Sequence, residues 1–218
     1  TYPDSIEIPA NLLEWGKTLV GTSRLDDARQ VLERLAKMAP GLPVGREGAY
    51  CLGQVLISQK KLDDAFVVLT ALSTNEVAKE DLRVEALYSL ASIHEARTNI
   101  DAAVAVTSNG MALARTPELK RKGAYAMGRI CLDSGRLDQG IPLLKSYIAA
   151  VPADPLSEAA QLKLADALLD QGRGKEAVDE FQHYLETYTN SAGQAQARFG
   201  RGWALMNAGR YAEAATEF

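Results

Sequence analysis

Apolar residues recur along this chain at the three-and-four spacing that places side chains on one face of an α-helix. Residues 124–152 show the pattern most clearly, as two helices separated by a turn at 133–136. The apolar or small positions of the first helix are Ala124, Met127, Gly128 and Cys131. Those of the second helix are Leu137, Ile141, Leu144 and Ile148. The stretch is predicted to form a helical hairpin, in which Gly128 and Gly140 allow the helices to approach closely.

The same pattern occurs six times along the chain. Each first helix has one small residue in the same phase, namely Gly16, Gly53, Ala91, Gly128, Ala165 and Gly202. A small residue of the second helix follows twelve positions later, namely Ala28, Ala65, Ala103, Gly140, Ala177 and Ala214. Successive repeats are 37 residues apart, except for 38 between Gly53 and Ala91. This period indicates stacked units that each bury an apolar face against a neighbour.

Further positions of the hairpins also recur. A bulky residue lies four positions after the second small residue in five repeats, namely Leu32, Leu69, Leu144, Phe181 and Phe218. Prolines close two repeats, at Pro40 and Pro152. Together these features resemble the tetratricopeptide repeat over residues 9–218. Trp15 and Arg201 depart from it in a slot that is usually leucine, and Thr107 replaces the bulky residue of the third repeat.

The resemblance implies an all-α fold, a right-handed superhelical solenoid of antiparallel helical hairpins with about six repeats, the last one incomplete. We expect a lead segment at 1–8 and one solenoid over 9–218. The expected repeats are about 9–45, 46–83, 84–120, 121–157, 158–194 and 195–218. Because the usual period of the family is about 34 residues, the extra residues are expected after each second helix.

Local signals predict several helix ends. Helices are expected at about 9–21, 25–38 and 45–59, and further helices are expected to begin at Thr116-Pro117 and Asp154-Pro155. Gly135, Gly172 and Gly209 share one phase and are predicted to end first helices with positive φ, with Asn99 in a similar role. Ser73 or Thr74 is predicted to cap a helix that starts early, near Glu76. Acidic residues are expected to start the second helices at Asp26, Asp63, Asp101 and Asp138.

Composition narrows the classes of function. Apolar residues make up 47% of the chain and the net charge is -4, so the chain can bury a core and lacks the basic face of a nucleic-acid binder. No apolar run approaches the roughly 18 residues of a membrane-spanning helix. The chain begins without methionine, so we expect a processed or trimmed piece, and the bulky slot at Phe218 suggests that the native protein continues with more repeats.

Catalytic and metal-binding chemistry finds little support in the sequence. Cys51 and Cys131 lie two repeats apart and are predicted to be free thiols. His94 occupies a core slot and His183 stands alone, which is too few ligands for a zinc site. The run 172–175 lacks the strand and the Ser/Thr of a phosphate loop and is predicted to be a hairpin turn. We therefore expect no catalytic residues, no metal, no cofactor and no enzyme activity.

The most informative pattern lies beside the core stripe of the first helices. Three residues before each small residue are Leu13, Tyr50, Tyr88, Tyr125, Leu162 and Phe199. One residue after it are Lys17, Gln54, Ser92, Arg129, Asp166 and Trp203. In the family that the chain resembles, this face lines the concave groove, and aromatic rings with polar neighbours favour peptide recognition. Alternatively, the tyrosines seal adjacent repeats.

The sequence thus predicts a non-enzymatic scaffold that binds a protein or peptide partner in its concave groove. The alternative is a regulatory or sensor module of a larger protein with a catalytic or membrane segment elsewhere. Residues 179–218 resemble repeats of bacterial envelope proteins, so either the bacterial periplasm or envelope or the cytoplasm is a possible location. Self-association through the apolar carboxyl-terminal end is also expected, because no polar cap covers it.

Overall fold

The computed structural model describes residues 8–152 and 154–218, which form twelve α-helices and no strand. The lead segment at 1–7 lies outside the described residues. The helices are α1 (Pro9–Gly21), α2 (Leu25–Met38), α3 (Pro43–Ser58), α4 (Leu62–Ser73), α5 (Glu80–Ala96), α6 (Ile100–Leu113), α7 (Pro117–Asp133), α8 (Leu137–Ala150), α9 (Pro155–Asp170), α10 (Gly174–Thr187), α11 (Gln194–Asn207) and α12 (Tyr211–Ala214). The predicted all-α fold of repeating helical hairpins is confirmed.

In the four hairpins whose first small residue is glycine, that glycine lies against the bulky residue sixteen positions later. A Cβ atom placed on Gly16 would lie 2.6 Å from Leu32 Cδ2, and one on Gly53 would lie 2.6 Å from Leu69 Cδ2. The corresponding distance from Gly128 to Leu144 Cγ is 2.7 Å. A side chain at any of these glycines would therefore require the leucine that faces it to move.

The third repeat has Thr107 in place of the bulky residue. Thr107 is fully buried, and its hydroxyl donates a hydrogen bond of 2.7 Å to the carbonyl of Ala103 in the same helix. A buried polar group costs little when it is hydrogen-bonded, so threonine fits this slot without an unpaired oxygen.

The described residues separate into two compact units, one ending at Lys120 and the other at 121–218. Leu32, Leu69 and Leu87 belong to the apolar core of the first unit. Leu144 and Phe181 belong to the core of the second. In both units successive hairpins contribute to one continuous core, as expected when single hairpins are too small to bury their own apolar faces. The division of 9–218 into one solenoid with the six stated repeats stays a prediction.

The turn inside every hairpin uses a left-handed residue at the same position, seven after the small residue. The glycines predicted to have positive φ do so: Gly135 at 73°, Gly172 at 71° and Gly209 at 76°. The first three hairpins use Ser23, Lys60 and Thr98, at φ values of 59°, 60° and 58°. The prediction for Asn99 is wrong, because Thr98 takes that conformation and the Asn99 side chain instead accepts a hydrogen bond from Ala102 N at the start of α6.

Other predicted helix ends agree with the structure or need correction. Pro117 begins α7, and Asp154 caps α9 by accepting a hydrogen bond of 2.8 Å from Leu156 N. Helix α3 begins at Pro43, two residues before the predicted start, because proline fits the first helical position. Helix α5 begins at Glu80 rather than near Glu76.

The prediction that the third repeat starts early is wrong, because Ser73 and Thr74 form their hydrogen bonds at the end of the preceding helix. The Ser73 hydroxyl donates a hydrogen bond of 3.0 Å to the carbonyl of Thr70, and the Thr74 hydroxyl donates one of the same length to the same carbonyl. These residues therefore satisfy the free carbonyls at the end of α4 instead of the free N–H groups of a new helix.

The predicted acidic residues do begin the second helices, and Asp26, Asp63 and Asp138 also contact the next repeat, Asp138 through Arg173 at 3.9 Å. Asp26, Asp63, Asp101 and Asp138 all lie in first turns. The Gln59 amide donates a hydrogen bond of 3.0 Å to Asp26, and Arg97 lies 2.5 Å from Asp63. Because these pairs are largely exposed, they add little to the free energy of unfolding. Their main effect is to align neighbouring hairpins.

Replacement of Leu144 by alanine is expected to lower the free energy of unfolding by about 2–5 kcal/mol, because it leaves a cavity against Gly128. Urea titration followed by circular dichroism measures the loss. Val67→Ala is the control, since Val67 is 67% exposed, and it should change stability by about 0.5 kcal/mol or less. An unchanged midpoint for Leu144→Ala would show that the assigned contact does not hold the hairpin together.

Lys60→Gly is expected to stabilise the protein by roughly 0.5–1 kcal/mol, because relief of the left-handed strain outweighs the extra chain entropy of glycine. Gly172→Ala is the reciprocal change, since no atom lies within 4 Å of an added Cβ and only the backbone conformation is tested. It should destabilise by a similar amount. Thermal melting of both variants checks the pair, and shifts in the same direction would contradict the shared role of these turns.

Candidate interaction surface

We call the positions three before and one after each small residue the first-helix face. In the first unit, Lys17 on this face is exposed and its Nζ lies 3.0 Å from Glu14 Oε1, one turn earlier on α1. That hydrogen bond raises the pKa of Lys17, so the ammonium remains charged at neutral pH. An exposed pair of this kind exchanges readily with water and is available to a partner carboxylate.

Tyr50 and Gln54 connect neighbouring first helices across the first-helix face. The Tyr50 hydroxyl donates to Glu85 Oε2 at 3.4 Å, and the Gln54 amide donates to Ser89 Oγ at 2.6 Å. Both side chains are half-buried. Polar groups on this face therefore fix α3 against α5 while leaving part of each side chain exposed.

Tyr88 is held within the third hairpin and the segment that follows it. Its hydroxyl donates a hydrogen bond of 3.0 Å to the carbonyl of Leu119, and a Cβ atom on Gly110 would lie 2.6 Å from Tyr88 Cε1. Burial, together with the charge of Glu85, raises the pKa of Tyr88 to about 12. The ring is therefore a packing element here, while a partner-binding role for it stays a prediction.

Tyr125 and Arg129 occupy the same slots in the second unit. The ring of Tyr125 packs against the ring of Tyr147, with centroids 5.1 Å apart. Arg129 Nη1 lies 3.6 Å from Asp133 Oδ2, one turn later on α7. Both site residues are half-buried. Each is thus oriented by a neighbour within the unit.

Asp166 lies in a cavity of about 500 Å³ formed by α7 and α9. Besides Asp166, the cavity is lined by Leu132, Asp133, Gly135, Ala159, Leu162, Lys163, Ala167, Asp170 and Gln171. The Gln196 amide of α11 donates a hydrogen bond of 3.3 Å to Asp166 Oδ2. Burial raises the pKa of the Asp166 carboxyl, and repulsion from Asp170 raises it further. This predicted residue therefore sits in a defined concave site.

Sequence reasoning missed the charged residues that share the cavity with Asp166, which are Asp133, Lys163 and Asp170. Lys163 Nζ lies 2.5 Å from Asp133 Oδ1. Asp133 and Asp170 each lie five residues after the small residue of their helix. That position is one turn beyond the slot of Asp166, so the i, i+4 rule could have placed it on the same face.

Phe199 and Trp203 give the first-helix face of α11 an exposed aromatic surface. Their rings are 58% and 45% exposed. With Phe218, which is 63% exposed, they form a cluster in which every pair of rings meets edge-on at centroid distances of 5.7–6.3 Å. Exposed rings in one cluster are typical of interaction sites rather than of ordinary surface.

Within the described residues, no group of three or more histidine, cysteine, aspartate or glutamate side chains could hold a metal ion. His94 packs edge-on against Phe66, with centroids 5.5 Å apart, and His183 is exposed. Cys51 and Cys131 are free thiols, as predicted, and Cys131 is buried in the core. Burial raises the pKa of both thiols, which keeps them protonated and weakly nucleophilic at neutral pH.

Comparison with protein families identifies this architecture. The model of the tetratricopeptide repeat family matches residues 13–73, 125–192 and 189–218. The chain therefore belongs to the tetratricopeptide repeat family. Comparison with curated proteins gave no match.

Solved structures with the same fold come from varied sources. A tetratricopeptide repeat protein from Parabacteroides merdae aligns at TM-score 0.71 with 16% identity, over 96% of this chain and 77% of that one. A putative kinesin light chain from Podosopora anserina aligns at 0.66 with 18% identity, over 88% and 99% of the two chains. MamA aligns at 0.66 with 20% identity, over 84% and 93%. At these identities the likeness shows the fold alone.

Among the helices that the structure describes, none combines the length and the apolar character that crossing a bilayer requires.

Tyr88→Phe is expected to destabilise the protein by about 0.5–1.5 kcal/mol, because it removes the hydrogen bond to Leu119. A second signature lies in the pH dependence. The unfolded pKa is about 10 and the folded pKa is about 12, so the stability from neutral Tyr88 persists below pH 10 and declines as the pH rises through 12.

Urea titrations at several values of pH compare Tyr88→Phe with Tyr211→Phe, whose parent side chain is 68% exposed. The control should match the wild type within about 0.5 kcal/mol. If Tyr88→Phe retained the full wild-type stability, the hydrogen bond to Leu119 would not contribute to packing.

Proposed function

We propose that this protein is a non-enzymatic interaction scaffold that binds a partner polypeptide along the first-helix face, the face that in this family lines the concave groove. Membership of the tetratricopeptide repeat family supports a protein-binding scaffold. The observation that carries the finer proposal is the surface of the second unit, where a cavity of about 500 Å³ at Asp166 lies on a face that also presents exposed Phe199 and Trp203.

The chemistry of this surface suits a peptide better than a substrate undergoing reaction. The thiols are protonated at neutral pH, and the side chains of the cavity are carboxylates, one ammonium group, one amide and aliphatic groups. An open face with aromatic anchors and polar neighbours offers contact area and hydrogen bonds, which are what peptide recognition needs.

The proposal distinguishes the two exposed sides of the hairpins. First helices carry the candidate residues, whereas second helices present exposed side chains such as Val67 and Lys145 on the other side. A partner that binds the first-helix face of either unit should approach Lys17 or Trp203 and leave the second-helix positions free. This difference can be measured directly.

Site-specific photo-crosslinking tests the proposal. A photoreactive residue is placed singly at Lys17, Trp203, Val67 or Lys145, and each variant is incubated with lysate of the source organism. Adducts of a defined partner are expected from Lys17 or Trp203 and should fall by about tenfold at Val67 and Lys145. Adducts of that partner confined to Val67 and Lys145 would overturn the proposal.

A further inference from the structure

We propose that the second unit recognises a peptide segment in which a lysine or arginine stands beside a bulky apolar residue. The cationic side chain enters the cavity at Asp166, and the apolar side chain packs on Phe199 and Trp203. This inference rests on the proposed function, since it names the chemistry of the partner that the first-helix face would bind.

The charges of the cavity are unequal. Its lining contains three carboxylates, Asp133, Asp166 and Asp170, against one ammonium group, Lys163. Lys163 is 2.5 Å from Asp133, which also faces Arg129 at 3.6 Å. Lys163 also attracts the Asp166 carboxylate, but one ammonium group cannot balance three carboxylates, so the lining keeps an excess of negative charge.

Of the three carboxylates in the cavity, Asp166 would be stabilised most by a bound cation. Its hydrogen-bond donor is the neutral amide of Gln196, at 3.3 Å. Partial burial and the charge of Asp170, which lies one turn later on α9, disfavour its ionised form and raise its pKa. An entering ammonium or guanidinium group would offset both effects, because it supplies the opposite charge at short range.

The walls of the cavity suit the stem of a long cationic side chain. Leu132, Leu162 and Ala167 contribute apolar surface beside the carboxylates. Lysine and arginine bury their methylene groups along such surfaces while their charged ends remain near polar groups. A cavity of about 500 Å³ lies within the size range of ligand sites.

The aromatic surface faces the same side as the cavity. Gln196, Phe199 and Trp203 stand at positions i, i+3 and i+7 of α11, which places them on one face of the helix. Because the Gln196 amide reaches Asp166, that face points toward the cavity. The rings can pack against an apolar side chain of the peptide and also attract a neighbouring cation through their π faces.

Charge favours a basic partner segment over a second copy of this chain. The chain carries a net charge of -4, so two copies repel each other at long range, whereas a basic segment is attracted to the acidic cavity. The occupant is therefore a partner peptide rather than a second copy.

Selection from a displayed library of short random peptides tests the inference. Recovered peptides are expected to share a lysine or arginine beside leucine, phenylalanine or another bulky apolar residue. One such peptide is then synthesised with its basic residue intact or changed to glutamine, and its affinity is measured by fluorescence anisotropy. The change to glutamine and the protein variant Asp166→Asn should each weaken binding by about tenfold.

The variants separate binding from folding. Asp166→Asn keeps an oxygen for Gln196 and removes the disfavoured charge, so its melting temperature should equal or exceed that of the wild type. Asp179→Asn is the matched control, because it removes an exposed carboxylate from α10 of the same repeat and should leave binding unchanged. Equal weakening by both variants would show a general charge effect and overturn the site.

The remaining outcomes distinguish the inference from the proposed function. If the peptides show no basic preference but lose affinity in Trp203→Ala, the cation site is overturned and the first-helix face stands as a binding surface. If no peptide binds, or binding survives both Asp166→Asn and Trp203→Ala, the inference and the peptide-binding role of this face both fail. Self-association that is detected by sedimentation and abolished by Trp203→Ala would make a second copy the occupant.

Discussion

The contact between a glycine of the first helix and the bulky side chain sixteen positions later, which four hairpins share, underlies the rest of the structure. It sets the separation of the two helices, as Gly128 and Leu144 show, and thereby fixes which side of each first helix faces outward. This packing sets the position of the first-helix face, and neighbouring side chains then orient its residues. Lys17, Asp166 and Trp203 need no special backbone geometry, because the repeat supplies their position.

Periodicity predicted the hairpins and the glycine turns, because the small residues and the left-handed glycines depend on spacing within one repeat. It did not reveal that Ser23, Lys60 and Thr98 take the same left-handed conformation. Among the residues found at this position, only glycine indicates a positive φ from the sequence. Likewise, the spacing placed Asp166 on the first-helix face and could have placed Lys163 and Asp170 beside it on α9, but the proximity of Asp133 depends on how far apart α7 and α9 lie.

Asp166 illustrates how a binding surface and a stable fold make different demands. Its surroundings disfavour the charged carboxylate, so the folded protein holds this group at some energetic cost. A neutral side chain would serve the fold as well. Tyr88, in contrast, stabilises the fold, because its hydroxyl donates a hydrogen bond to Leu119 and its ring packs against Gly110.

The two units use different residues in their left-handed turns. The strained non-glycine turns at Ser23, Lys60 and Thr98 all belong to the first unit, and the relaxed glycine turns at Gly135, Gly172 and Gly209 all belong to the second. Local unfolding should accordingly begin in the amino-terminal hairpins, where the turn residues are held in a strained backbone conformation. A protease or an applied force would then act first on hairpins that are distant in sequence from Asp166. The acidic cavity would stay folded after those hairpins have opened.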